Sequence, residues 1–320
     1  MKDRAIYCLN NISPVGTANF REGYTLVDAI DSAAGVLVRS AEMKDMAFPD
    51  GLRAIARAGA GVNNIPLERC AEQGIVVFNT PGANANSVKE LVLAGLLLAS
   101  RGIVDGNRWV RENAETEGIA KAAEKAKKAF AGYEIKGKTL GVIGLGAIGV
   151  LVANAAVDLG MEVWGYDPFL SVRSAWNLSS AVHYAPTAEA VYAKADYLTI
   201  HVPATKETKG MVGEKAFAQM KDGVRVINAA RDSLVDDAAM AAALDSGKVA
   251  VYVTDFPNEA VVKMDKAIVL PHIGASTEEA EDNCAVMAVQ ELQDYLDNGN
   301  ITHSVNFPDH FRSMGTSFGS

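Results

Sequence analysis

Three glycines, Gly144, Gly146 and Gly149, stand as G-x-G-x-x-G between the apolar run Leu140 to Ile143 and a helical pattern that begins at Ala147. Gly144 permits a tight turn. Gly146 lets backbone come close to a pyrophosphate, and Gly149 lets helix and strand pack tightly. The helix start adds unpaired N–H groups and a dipole that favours an anion. Asp167 ends the next strand-like run, VWGYDP, eighteen residues after Gly149. A carboxylate there can accept from both hydroxyls of an adenosine ribose, and it repels a 2′-phosphate, which favours NAD over NADP. The plainer reading of Asp167 is a turn with Pro168. Strand, loop, helix, strand and acid in that order favour the dinucleotide.

Hydride transfer from an alcohol carbon needs more than a dinucleotide. A base must take the hydroxyl proton, a cation must hold an acidic substrate and polarise the forming carbonyl, and water must be kept out. Five histidines are available as the base. His183 precedes a helix, and His303 and His310 fall in the C-terminal stretch. His201 closes the strand-like run ADYLTIHVP, and His272 closes AIVLPHIGAS. Ligands of open α/β sheets bind just beyond the carboxyl ends of strands, so both stay candidates, with a structural hydrogen bond as the bland alternative for each. Glu259, in the loop DFPNE, is placed to orient His272 and to stabilise its imidazolium. Arg231 ends RVINAA, where a guanidinium can grip a planar carboxylate with two parallel bonds. A salt bridge with Asp232 or Asp236 is its structural alternative.

These residues need elements to carry them. The chain has 320 residues, 49% apolar and 22% charged, which suits about two globular domains. A net charge of -9 argues against a nucleic-acid groove but allows a local positive pocket for a small anion. Cys8, Cys70 and Cys284 are too scattered for a disulfide scaffold or a metal cluster, so no metal is expected and the cytoplasm is the expected compartment. Neither a targeting segment nor a membrane span is expected; the most apolar helical run, Leu91 to Ala99, is far short of the ~20 residues that a span needs.

Short apolar runs alternate with helical stretches. Ala5 to Leu9, Gly35 to Val38 and Ile75 to Phe78 read as strands, and Leu52 to Ala58 as a short helix or a strand. Ser87 to Ser100 reads as a buried helix, with Ser87 as N-cap and Glu90 as its capping-box partner. Residues 105–134 are charged and polar and read as solvated surface helix. A second series, from Lys138 through AIVLPHIGAS, holds five or six strands with intervening helices. The run ITHSVNFP is expected to return to the first domain, ahead of a loose terminus. The fold class is therefore α/β, with two doubly wound parallel sheets.

With Arg231, Glu259 and His272 following the glycine loop, the motifs GVIGLGAIG, HVPATKETKG, NAARDSLVDDAAM and PHIGAST resemble the D-isomer-specific 2-hydroxyacid dehydrogenase family over nearly the whole chain. The resemblance implies a Rossmann domain, 94–284, inserted in a flavodoxin-like substrate domain, 1–93 completed by 285–320. It implies that Arg231 binds the substrate carboxylate, that His272 is the acid/base and that Glu259 pairs with it. NAD is expected on Gly144, Gly146, Ala147, Ile148, Gly149 and Asp167, with His201, Val202, Pro203, Thr208, Ala229, Ala230, Asp255, His272 and Gly274.

The motifs RAGAGVNNI and FNTPGANANSVKELVLAGLLLASR narrow the likeness to members that oxidise D-3-phosphoglycerate to 3-phosphohydroxypyruvate, the first step of serine synthesis. By that likeness Ala60, Gly61, Val62 and Asn63 lie against the substrate, with Ser40 and Asn86 beside them, and Arg39 and Arg57 meet a phosphate. Another D-2-hydroxy acid (glycerate, hydroxypyruvate or lactate) and a non-enzymatic NAD sensor are the alternatives. A homodimer is implied as well. The sequence departs from the family in placing Thr254 where an aspartate usually receives the nicotinamide amide, and the expected receiver is Asp255, one step later, after a local shift. Arg231 is followed by Asp232 instead of the usual glycine, an added carboxylate expected to face solvent. Longer members carry a serine-binding C-terminal domain, and feedback through such a module is not expected here.

Overall fold

The computed structural model describes residues 4–307. His310 and the expected loose terminus lie outside them. The chain divides into two units, 1–85 with 275–320 and 86–274.

The first unit carries β1 (Ala5–Cys8), β2 (Thr25–Val27), β3 (Gly35–Val38), β4 (Ala54–Arg57) and β5 (Val76–Phe78) in one parallel sheet, ordered β2-β1-β3-β4-β5. This is the flavodoxin-like order. Side chains alternate across the strands, so each face gains its own core. Ile6, Leu37, Ala54 and Ala56 pack with Ala285, Ala288, Val289 and Leu292 of the long helix Glu278–Asn298. Val36, Val38, Ile55 and Val77 pack on the other side with Met43, Leu52 and Cys70. The run ITHSVNFP does return to this sheet. Ser304 bridges Phe78 antiparallel, Val305 N–H donates to Val77 O (2.9 Å), and Val77 N–H donates to Asn306 Oδ1 (2.8 Å).

The second unit opens with α3 in chain order, after the short helices α1 (Pro14–Thr17) and α2 (Leu67–Glu72) of the first. It holds α3 (Ala85–Ser100), α4 (Ile103–Glu112), α5 (Ile119–Ala126), β6 (Thr139–Ile143), α6 (Ala147–Asp158), β7 (Glu162–Tyr166), β8 (His183–Tyr184), β9 (Tyr197–Ile200), β10 (Val224–Asn228), β11 (Val249–Thr254) and β12 (Ala267–Val269). The sheet is parallel throughout, in the order β12-β11-β10-β9-β6-β7-β8. That is the Rossmann order with one strand more. Leu140, Val142, Val163 and Tyr197 face Val92, Leu96, Val152 and Ala156. Ile143, Leu198, Ile200 and Val226 face Val191, Phe217 and Met240 on the opposite side.

Two local expectations change, and one open alternative resolves. The helix α3 starts at Ala85, so Ser87 lies inside it and is no N-cap; its hydroxyl donates to Gly274 O instead (2.7 Å). Glu90 accepts from Asn86 Nδ2 (2.9 Å) rather than closing a capping box. Leu52 to Ala58 resolves as the strand β4, because its apolar residues are buried between β3 and β5.

Candidate active site

Six candidates in the second unit stand just past a strand's carboxyl end. Gly144 follows β6, Asp167 follows β7, His201 follows β9, Arg231 lies three residues past β10, Asp255 follows β11, and His272 lies three residues past β12. Strand order reverses between β6 and β9, which is where open α/β sheets leave a ligand crevice.

The glycine loop fits a dinucleotide for steric reasons that can be measured. Gly144 has φ +90°, and a Cβ there would stand 2.5 Å from His201 O. A Cβ on Gly149 would stand 1.9 Å from Gly144 O, so helix and turn touch backbone to backbone. A Cβ on Gly146 would meet nothing within 4 Å, so the space in front of that residue is open. Gly146 is the N-cap of α6 and offers no side-chain cap, which leaves the first-turn N–H groups at Ala147 and Ile148 for an anion. Asp167 is fixed in place: Leu145 N–H donates to Oδ2 and Phe169 N–H to Oδ1, both at 2.8 Å.

On the other side of the reversal, His201 Nε2 lies 2.9 Å from Thr199 Oγ1, and its buried Nδ1 has no partner. Burial pushes this imidazole down to about 4, so it is neutral at pH 7 and suits a packing role better than proton transfer. The loop after Val202 and Pro203 is tied by Thr208, whose hydroxyl donates to Pro203 O (2.7 Å).

Arg231 is exposed, and its guanidinium donates to Ala230 O (2.6 Å). Asn228, fully buried, shapes the turn through Ala229: its Nδ2 donates to Arg231 O (2.8 Å) and its Oδ1 accepts from Ala230 N–H (3.1 Å). His272 is exposed, with its ring 5.0 Å from that of Phe256. Glu259 is also exposed, on a turn that Asn258 folds by accepting from Ala260 and Val261 N–H. Among the described residues no hydrogen bond joins Glu259 to His272. Asp255 is buried, and both its oxygens accept backbone N–H groups, from Ile273 (2.8 Å) and Gly274 (2.7 Å).

The first unit holds the remaining candidates except Asn86. Asn10 Oδ1 accepts from the N–H groups of Arg39, Ser40 and Ala41 at 3.0, 3.1 and 2.9 Å, which curls that loop. Arg57 Nε donates to Arg39 O (3.0 Å). The Arg39 guanidinium pairs with Glu281 (2.5 Å). Ala60 O accepts from Asn79 Nδ2 (2.7 Å), Val62 O accepts from Ile65 N–H (3.0 Å), and Gly61 and Asn63 complete the loop, with Asn63 exposed. Asn86, in α3 of the second unit, accepts from Lys89 (2.7 Å). Asn10, Asn228 and Asn258 shape these turns without a role that the sequence motifs assign. Their work is side-chain to backbone, and only the turn-forming habit of asparagine hints at it.

A glycine cradle, an acid past β7, an arginine past β10 and a histidine past β12, the last two flanking the end of β11 in the sheet order, are parts that a dehydrogenase needs. The profile of the D-isomer specific 2-hydroxyacid dehydrogenase NAD-binding domain matches residues 93–274. The chain belongs to this family. NAD is the family's cofactor, and the cradle at Gly144, Gly146 and Gly149 fits it. A D-3-phosphoglycerate dehydrogenase of Archaeoglobus fulgidus is 36% identical over 293 residues, 88% of this chain and 53% of its own. The chain thus spans about half the length of the curated relatives it matches. An NAD+-bound 3-phosphoglycerate dehydrogenase of Entamoeba histolytica superposes with a TM-score of 0.73 at 26% identity, covering 95% of this chain and 99% of that one. A glyoxylate reductase from Paecilomyes thermophila does so with 0.76 at 25% identity, covering 95% and 99%.

Proposed function

We propose that this chain oxidises D-3-phosphoglycerate to 3-phosphohydroxypyruvate with NAD. The observation that carries the reading is the set of strand ends in the second unit, where an exposed imidazole and an exposed guanidinium follow the same sheet that builds the NAD cradle. Arg231 holds the C1 carboxylate and polarises the forming C2 carbonyl. His272 takes the C2 hydroxyl proton as the C2–H bond breaks, and returns it in the reverse direction. Glu259 steadies the imidazolium that results. When bound, NAD accepts the hydride from C2. Arg39 and Arg57 in the first unit, with Ser40 and the 60–63 loop, receive the phosphorylated end; a dianion calls for more than one cation.

The substrate domain in this reading is 1–93 with 285–320, and the cofactor domain is 94–284. A cytoplasmic homodimer completes it. Support for the dimer comes from α4 and α5, which bury no residue of their own while Ile103 and Val110 stand exposed.

One observation favours a second reading. Glu281 already neutralises Arg39, which suits an unphosphorylated 2-hydroxy acid. Initial rates over D-2-hydroxy and 2-keto acids, phosphorylated and not, with NAD and NADP in parallel, separate the two. The first reading expects the highest kcat/KM for phosphoglycerate with NAD. A preference for glycerate or lactate overturns it.

A further inference from the structure

His272 has φ 58° and is the one non-glycine residue with a positive φ among those described. Left-handed backbone is uncommon for any residue that carries a Cβ, so contacts that hold the turn are to be sought. The backbone N–H groups of the next two residues converge on one carboxylate. Ile273 N–H donates to Asp255 Oδ1 at 2.8 Å and Gly274 N–H to Oδ2 at 2.7 Å. Successive N–H groups around a left-handed turn form a concavity that suits an anion, and here the anion is a side chain of the same domain. Asp255 is 2% exposed and is itself anchored, its N–H donating to Asn228 O (3.1 Å). Behind the turn, buried Ser87 donates to Gly274 O (2.7 Å). A Cβ at Gly274 would stand 3.0 Å from Asp255 Oδ2, so glycine admits the close approach.

We propose that Asp255 is the positioning residue of His272: its buried carboxylate clamps the 273–274 amides and so fixes the left-handed turn that presents the imidazole. The proposal rests on reading His272 as the acid/base. It gives Asp255 a different task from receiving the nicotinamide amide; the buried Thr254 beside it accepts from Phe256 N–H through Oγ1 (3.2 Å).

The test compares wild type, Asp255→Asn and Ser87→Ala. Asparagine keeps one acceptor and turns an NH2 against the other N–H. Three readouts separate positioning from cofactor contact and from general damage. Asp255→Asn should lower kcat by about 100-fold, the scale of a misplacement near 1 Å. NADH affinity by fluorescence titration should stay within about twofold, and deuterium uptake across 270–275 should quicken. Ser87→Ala should shift kcat and uptake the same way by a smaller factor, and it carries the test if Asp255→Asn does not fold. Unchanged kcat and unchanged uptake in a folded variant overturn the proposal. Weakened NADH affinity with intact kcat also overturns it and returns Asp255 to the cofactor. If wild type turns over no 2-hydroxy acid at all, the reaction reading fails instead, and uptake at 270–275 alone decides the clamp.

Discussion

Gly146→Ala and Gly149→Ala separate what the loop does for folding from what it does for the dinucleotide. At Gly149 the added carbon would stand 1.9 Å from Gly144 O, against roughly 3.3 Å for an ordinary carbon–oxygen contact, so the turn must open by more than about 1 Å. Gly144 is itself tied by its N–H to Tyr166 O (2.8 Å) and hemmed by His201 O. Overpacking of this kind costs about 1–3 kcal/mol, and the opened turn also drags the α6 amides off the pyrophosphate. Gly149→Ala should therefore lose several degrees of Tm as well as NADH affinity. At Gly146 the added carbon meets nothing within 4 Å, and its φ of -77° lies outside the left-handed region. Its Tm should stay at wild type. Its NADH affinity should fall about 10–100-fold, because a methyl group then fills the space that the pyrophosphate needs and removes a charge-assisted bond of about 1.5–3 kcal/mol. Thermal melts and NADH fluorescence titrations read both quantities. Wild-type NADH binding by Gly146→Ala would refute the cradle, and an unchanged Tm in Gly149→Ala would refute the packing argument.

Arg39→Ala should raise KM for D-3-phosphoglycerate by about 10–100-fold, the worth of one charge-assisted bond, with little change for D-glycerate; equal shifts for both would remove Arg39 from the phosphate. Glu291, 9% exposed with Oε2 unpartnered and Oε1 2.6 Å from His303 Nδ1, is pushed by burial up to about 8. The native state then keeps a proton that the unfolded chain releases above its ordinary carboxyl range. Stability should fall as pH rises from about 4.5 to 8, by at most about 1.4 kcal/mol per pH unit, and Glu291→Gln should flatten that slope in urea melts at pH 5.5 and 7.5. A slope that survives the substitution would assign it elsewhere. His201, pushed down to about 4, works in the opposite sense: stability is lost as pH falls from about 6.5 towards 4, and its ring resonances should show no titration near neutrality.

The phosphate loop and the strand-end candidates were legible because buried parallel strands are short apolar runs and their ends carry glycine or polar residues within three positions. GVIGLGAIG and AIVLPHIGAS show both signals in a line. The strand β2 was not legible: Thr25–Val27 is three residues at a sheet edge, with two of them exposed, so no apolar run marks it. Ser87 misled because S-x-x-E also occurs inside a helix, and only the fold shows the chain already helical at Ala85. The clamps escaped for another reason. Asn10 bonds to a loop 29 residues away and Asp255 to amides 18 and 19 residues away, and no local pattern encodes the meeting of two loop ends.

The role of His272 is the claim on which the chemistry stands, and His272→Ala tests it most directly. Absorbance at 340 nm follows 3-phosphohydroxypyruvate reduction by NADH, and fluorescence titration follows NADH binding by the same variant. The variant should bind NADH as wild type does while kcat falls by about 10²–10⁴-fold. Wild-type turnover by His272→Ala would contradict the account.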